Sequence, residues 1–132
     1  MFDLWAFKQI RMKFLFGALA LLFALCAYWQ LNDPDPGLWV AMYGATALHF
    51  GLAAAGRAVR PLLLVTLLLT AGWALTLVPD FVGWLGDGMP NIATEMKTDQ
   101  PHIELVREFL GLSVCAALQG WLWWRSRPTI GA

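Results

Sequence analysis

Gln30-Leu31-Asn32-Asp33-Pro34-Asp35-Pro36-Gly37 is the stretch that decides the fold. It is a polar, proline-broken turn between two long apolar runs, one ending at Leu31 and the next beginning at Leu38. Pro34 and Pro36 cannot continue a helix, because each lacks an N–H and its ring clashes with the preceding turn. Asn32 and Asp33 close the first helix. Asp35 stands where an N-cap for the second belongs, with Pro36 at the first helical position. The turn folds the chain back on itself and places two carboxylates at one surface.

The runs on either side read as membrane spans. The chain has 132 residues, of which 59% are hydrophobic and 14% charged, with eight Trp. A soluble domain carries about 25% charged and about 45–50% apolar residues. Phe14 to Leu31 contains no charge and is long enough to cross a bilayer at about 1.5 Å per residue. The basic start (Lys8, Arg11, Lys13) before an apolar run also suits a signal peptide. Leu25 before Cys26 and the bulky pair Tyr28-Trp29 spoil a cleavage site, so the reading is a retained helix. Further spans are expected at about 38–56, 62–78 and 102–124, with a long outer loop at 79–101, and Trp39 and Tyr43 near the start of the second read as interfacial anchors. The first part of that loop, Asp80 to Gly86, mixes aromatics with glycine and reads as interfacial.

Charge sorts to two sides. Lys8, Arg11, Lys13, Arg57, Arg60, Arg125 and Arg127 fall on one, next to the aromatic belt Trp121, Trp123 and Trp124. Asp33, Asp35, Asp80, Asp87, Glu95 and Asp99 fall on the other, with Lys97. By the positive-inside rule both termini are cytoplasmic. The expected fold is therefore all-α: one integral membrane domain over residues 1–132, an antiparallel four-helix bundle in a bacterial inner membrane. Formal net charge is zero, which leaves no nucleic-acid footprint. Cys26 and Cys115 lie in apolar runs at different depths without CxxC spacing, so buried thiols are expected, with neither a disulfide nor a zinc site.

Small residues recur on two helix faces, Gly17, Ala20, Ala24 and Ala27 on the first and Gly44, Ala47, Gly51 and Ala54 on the second. Such faces let a neighbouring helix come close, whether from this chain or from another membrane protein. The bilayer itself is the first partner. Thr66, Thr70 and Thr76 can return their hydroxyls to carbonyls of their own helix. His49 lies roughly 16 Å into its helix. No second histidine stands at its level to complete a haem site, and a hydrogen bond to Thr66 or Thr70 is the expectation.

The fourth span opens unusually. Glu104, Arg107, Glu108, Gly111 and Cys115 recur at three- and four-residue steps and share one face. Arg107 and Glu108 lie roughly 6–9 Å past His102 along the axis. Ionisable groups at that depth are costly; they face a bundle interior and pair with something. Gln30, Asn32, Asp33, Asp35 and Tyr43 belong to the same outer mouth as His102, Glu104, Arg107 and Glu108. Two readings stand open. Arg107 braces the fourth helix against Asp33 or Glu104, with Glu104 suiting the helix dipole. Alternatively the cluster is a site for a lipid, quinone or other small molecule, or for a divalent cation on Asp33, Asp35, Glu104 and Glu108. No motif indicates a cofactor.

Gln30-Leu31-Asn32-Asp33-Pro34-Asp35, then Trp39 and Tyr43, then Glu104-x-x-Arg107-Glu108-x-x-Gly111-Leu112 resembles the transmembrane protein 220 family of small four-helix membrane proteins. The resemblance covers the four spans. It implies that fold, singles out Asn32, Asp33, Asp35, Glu104, Arg107 and Glu108, and implies no particular activity. The residues favour a non-enzymatic role as an accessory subunit or small-ligand-binding module. The alternatives are a membrane oxidoreductase or metal-dependent enzyme that uses the outer acids, and an oligomeric transporter or channel.

Overall fold

The computed structural model describes residues 3–32, 36–89 and 101–126, without the side chains at positions 5 and 101–103. Among them every regular element is helical: α1 (Leu4–Trp29), a 3₁₀ turn (Gln30–Asn32), α2 (Pro36–Ala54), α3 (Arg60–Thr76), α4 (Val78–Gly86) and α5 (Pro101–Arg125). The basic N-terminal segment and the first apolar run form one continuous helix. The stretches Ala6–Asn32, Pro36–Ala54 and Glu104–Arg125 are each long and apolar enough to cross a membrane. α3 and α4 make a fourth such stretch if they count as one span bent by 40°.

The helix ends follow from local chemistry. α2 stops at Gly56, whose φ of +74° suits a residue without Cβ. Gly56 N–H donates to Ala53 O at 3.0 Å and Arg57 N–H to Leu52 O at 2.8 Å, the paired bonds of a Schellman cap. Val59 is extended, and Pro61 then sits in the first turn of α3, where a missing N–H is harmless. The segment from Val78 to Gly86 departs from the expected loop by forming α4. Pro79 causes the break before it: Leu77 N–H bonds Ala74 O at 3.0 Å, tightening the last turn of α3, and α4 starts with the proline in its first turn.

Ring and side-chain contacts give the directions. Phe16 meets Phe50 (centroids 6.0 Å apart) and Phe23 meets Tyr43 (6.3 Å), so α1 and α2 are antiparallel. Trp39 stacks near Trp73 at 4.6 Å, and His49 reaches Thr66, so α2 and α3 are antiparallel too. Arg60 reaches the end of α5 at Trp123, while Leu67 faces Gly120. α2 and α5 run in the same direction, Tyr43 lying at Gly111 and Thr46 at Gln119. α4 rests on α5 through Phe81 and Phe109, 4.6 Å apart.

Two clusters form the core. One gathers Phe16, Phe23, Phe50, Leu63, Cys115 and Leu122; the other gathers Trp39, Ala74, Leu77 and Leu112. Trp39 is thus an interior residue, 6% exposed, and not a free interfacial anchor. The small faces of α1 and α2 meet where Ala20 Cβ stands 4.0 Å from the place of a Cβ on Gly51, whereas Gly17 and Gly44 have open space. Leu21, Leu69 and Leu75 point outward, as lipid-facing residues do. Phe50 is fully buried against Phe16, Phe23 and Trp121. Phe50→Ala leaves a void, and the cavity term of about 24 cal/mol per Å³ predicts a loss of the order of 2 kcal/mol in detergent unfolding. Leu69→Ala, on the outward face, is expected to change the midpoint little.

Candidate functional site

The polar residues that open α5 stand on its first two turns. Glu104, Arg107 and Glu108 are all half-buried there. Glu104 lies in the first turn, where the helix N-terminus favours a carboxylate. Gln30 is half-buried and Asn32 exposed on the 3₁₀ turn. Asp33, Asp35 and the side chain of His102 lie outside the described residues, as does the proposed pairing of Arg107 with Asp33. Among the described residues no three of His, Cys, Asp and Glu gather in a metal-holding group.

Tyr43 is the residue that α2 contributes to this end of α5. Its ring stacks on Phe23 and tilts against Trp39, both 6.3 Å away. Its hydroxyl sits 2.6 Å from where a Cβ on Gly111 would be. Gly111 is one helical turn inward of Glu108. Two halves of the motif, far apart in sequence, therefore interlock: Tyr43 on Gly111, and Trp39 in one cluster with Leu112.

Deeper inside lies a polar network. His49 Nε2 and Thr66 Oγ1 are 2.9 Å apart, one of the two pairings expected. Thr66 Oγ1 also stands 3.0 Å from Leu62 O; with its proton given there, the bond to His49 requires the tautomer that carries its proton on Nε2. Thr70 donates to Thr66 O at 2.8 Å, with Met42 Sδ 3.0 Å from the same hydroxyl. Gln119 is fully buried and donates through Nε2 to Thr46 Oγ1 at 2.9 Å, while Thr46 donates to Met42 O at 2.9 Å. Gln119 Oε1 has no partner.

Gln119 and Thr46 were missed as a pair because they lie 73 positions apart. One signal was present: continuing the three- and four-residue steps of Glu104, Glu108, Gly111 and Cys115 reaches Gln119. In the sequence Arg60 counts only among the basic residues of one side. Its guanidinium lies over the Trp123 ring at 4.2 Å and its Nε donates to Trp123 O at 3.1 Å. It thereby satisfies a carbonyl in the last turn of α5.

A family model described as Transmembrane family 220, helix, matches residues 22–124. Comparison with curated proteins and with solved structures finds no match.

Two outcomes follow from these contacts. Gly111→Ala drives a methyl into the Tyr43 hydroxyl and is expected to cost about 1–3 kcal/mol of stability. Adding Tyr43→Phe removes the clashing oxygen, leaves the ring carbon at the ordinary distance of 3.8 Å, and should recover most of the loss in a thermal melt. In the buried network, Thr46→Val strands the Gln119 amide and is expected to cost about 1 kcal/mol. Gln119→Leu removes both the bond and the orphaned oxygen and leaves Thr46 bonded to Met42 O, so its cost should be the smaller of the two.

Proposed function

The chain belongs to Transmembrane family 220, and from that premise we propose that it is a non-enzymatic four-span bundle of a bacterial inner membrane that acts by binding. Both termini are cytoplasmic, and the ligand or partner group enters the opposite, acidic mouth. There Glu104, Arg107 and Glu108 form the polar wall, with Gln30, Asn32 and Tyr43 around it, and the sequence assigns Asp33, Asp35 and His102 to the same mouth. The observation that carries this reading is the half-burial of three ionisable groups within the first two turns of a helix apolar enough to span a bilayer. Ionisable groups held that way are expensive, and in membrane proteins they mark binding and transport sites. The interlock of Tyr43 with Gly111 supports it further, because a tyrosine stacked on Phe23 and seated on Gly111 is held one helical turn inward of Glu108.

Arg107 and the carboxylates together suit a polar, hydrogen-bonding headgroup or the polar segment of a partner subunit. Native mass spectrometry of the protein released from lipid nanodiscs tests this. A discrete added mass that disappears with Glu108→Gln is the expected result for a small ligand. A co-purifying subunit released by the same substitution is the expected result for an accessory role. A bare chain whose mass and stability ignore Glu108→Gln and Arg107→Gln would overturn the assignment. Alkaline phosphatase fused after Gly88 should be active and fused after Ala132 inactive, which checks the orientation independently.

A further inference from the structure

We infer that the open cavity at the basic end of the molecule is a binding site for the headgroup of an anionic glycerophospholipid. The cavity encloses about 460 Å³ between α1, the turn after α2 and the end of α5. Pockets that hold small ligands run to about 300–1,000 Å³. It exists because the walls are small: Ala53, Gly56 and Ala58 carry almost no side chain where the Schellman cap turns the chain away from α2.

Its chemistry is that of an anion site with an apolar floor. Arg125, Ser126 and Gln9 supply a guanidinium, a hydroxyl and an amide, and among the described residues no carboxylate lines it. An Arg fork matches two phosphate oxygens at once. Among the described residues this end of the molecule holds Lys8, Arg11, Lys13, Arg57, Arg60 and Arg125 against the single acid Asp3. Arg60 is already held at Trp123, and Arg11 lies over the Phe7 ring at 5.7 Å. Among the described residues Arg125 is the cation that lines the cavity.

Depth identifies a lipid as the occupant. The floor is Met12 and Phe16, and the Phe16 ring packs on Trp121 at 5.7 Å. Trp121, Trp123 and Trp124 are the aromatic belt, which in membrane proteins marks the headgroup level. A phosphate on Arg125 would stand at that level, and acyl chains would leave past Met12 and Phe16 into the bilayer. A free phosphate would make no use of that floor. Basic pockets between helices at this depth recognise anionic headgroups. The inference does not depend on the acidic mouth, which lies at the other end of α5.

The test is a thermal melt of the full chain in detergent, titrated separately with dioleoyl phosphatidylglycerol, dioleoyl phosphatidylcholine and sn-glycerol 3-phosphate. Phosphatidylglycerol should raise the midpoint saturably, and the other two should not at the same concentration. R125Q should weaken the apparent affinity for phosphatidylglycerol at least tenfold, while R57Q, a cation not lining the cavity, should keep it within twofold. A58W, which fills the cavity from an exposed turn without changing charge, should abolish the shift even if R125Q folds poorly. Equal shifts with both lipids, equal losses in R57Q and R125Q, or undiminished binding by A58W would each overturn the site. A shift reproduced by glycerol 3-phosphate alone would overturn the lipid as its occupant.

Discussion

The contact on which the arrangement depends is the seating of Tyr43 against the bare backbone of Gly111. In lipid there is little hydrophobic force between helices, because the acyl chains are as apolar as leucine; association rests on close packing and on hydrogen bonds. α2 is the helix that touches α1, α3 and α5, and it meets α5 at that glycine. The hydroxyl fits only because α5 carries no Cβ there. Trp39, one turn away on α2, then reaches Leu112 and Trp73, and Thr46 reaches Gln119.

The interior polar network has the same logic in a second currency. Thr66 and Thr70 spend their protons within α3, so each needs nothing from a neighbour and still offers an oxygen. His49 uses one of those oxygens, and Gln119 uses the oxygen of Thr46 in the same way. The donors thus cross between helices and the acceptors were satisfied beforehand. That pattern ties α2 to α3 and to α5 through hydrogen bonds between neutral groups. It also leaves Gln119 Oε1 as the one buried side-chain acceptor among the described residues that these bonds do not reach.

The two ends of the molecule differ in how their charges are used. At the acidic end, Glu104, Arg107 and Glu108 sit part-way into α5, on the same face that continues inward to Gly111, Cys115 and Gln119. At the basic end the cations divide their labour. Arg60 closes the C-terminus of α5 through a carbonyl and an indole ring, and Arg125 is left at a cavity bounded by small residues. Removing Arg60 would free an orphan carbonyl; removing Arg125 would change a surface.

Much of this was legible in the sequence. Apolar length and the prolines at 36 and 61 set where helices start, because a missing N–H and a fixed φ act locally. The sorting of charges, the shared face of Glu104 to Cys115 and a His49 bond to Thr66 or Thr70 also followed from spacing and depth, and the structure selects Thr66. Three things did not. α4 was hidden because Pro79, Gly83 and Gly86 weaken a helix when read alone, and its packing through Phe81 onto Phe109 outweighs that weakness. Trp39 was read as an interfacial anchor because sequence gives depth along a helix but not which side faces a neighbour. The Thr46–Gln119 and Tyr43–Gly111 pairings join residues on helices that are not adjacent in the chain. Periodicity determines which residues share a face of one helix; only the tertiary structure decides which two faces meet, because that depends on the fit of side-chain volumes across them.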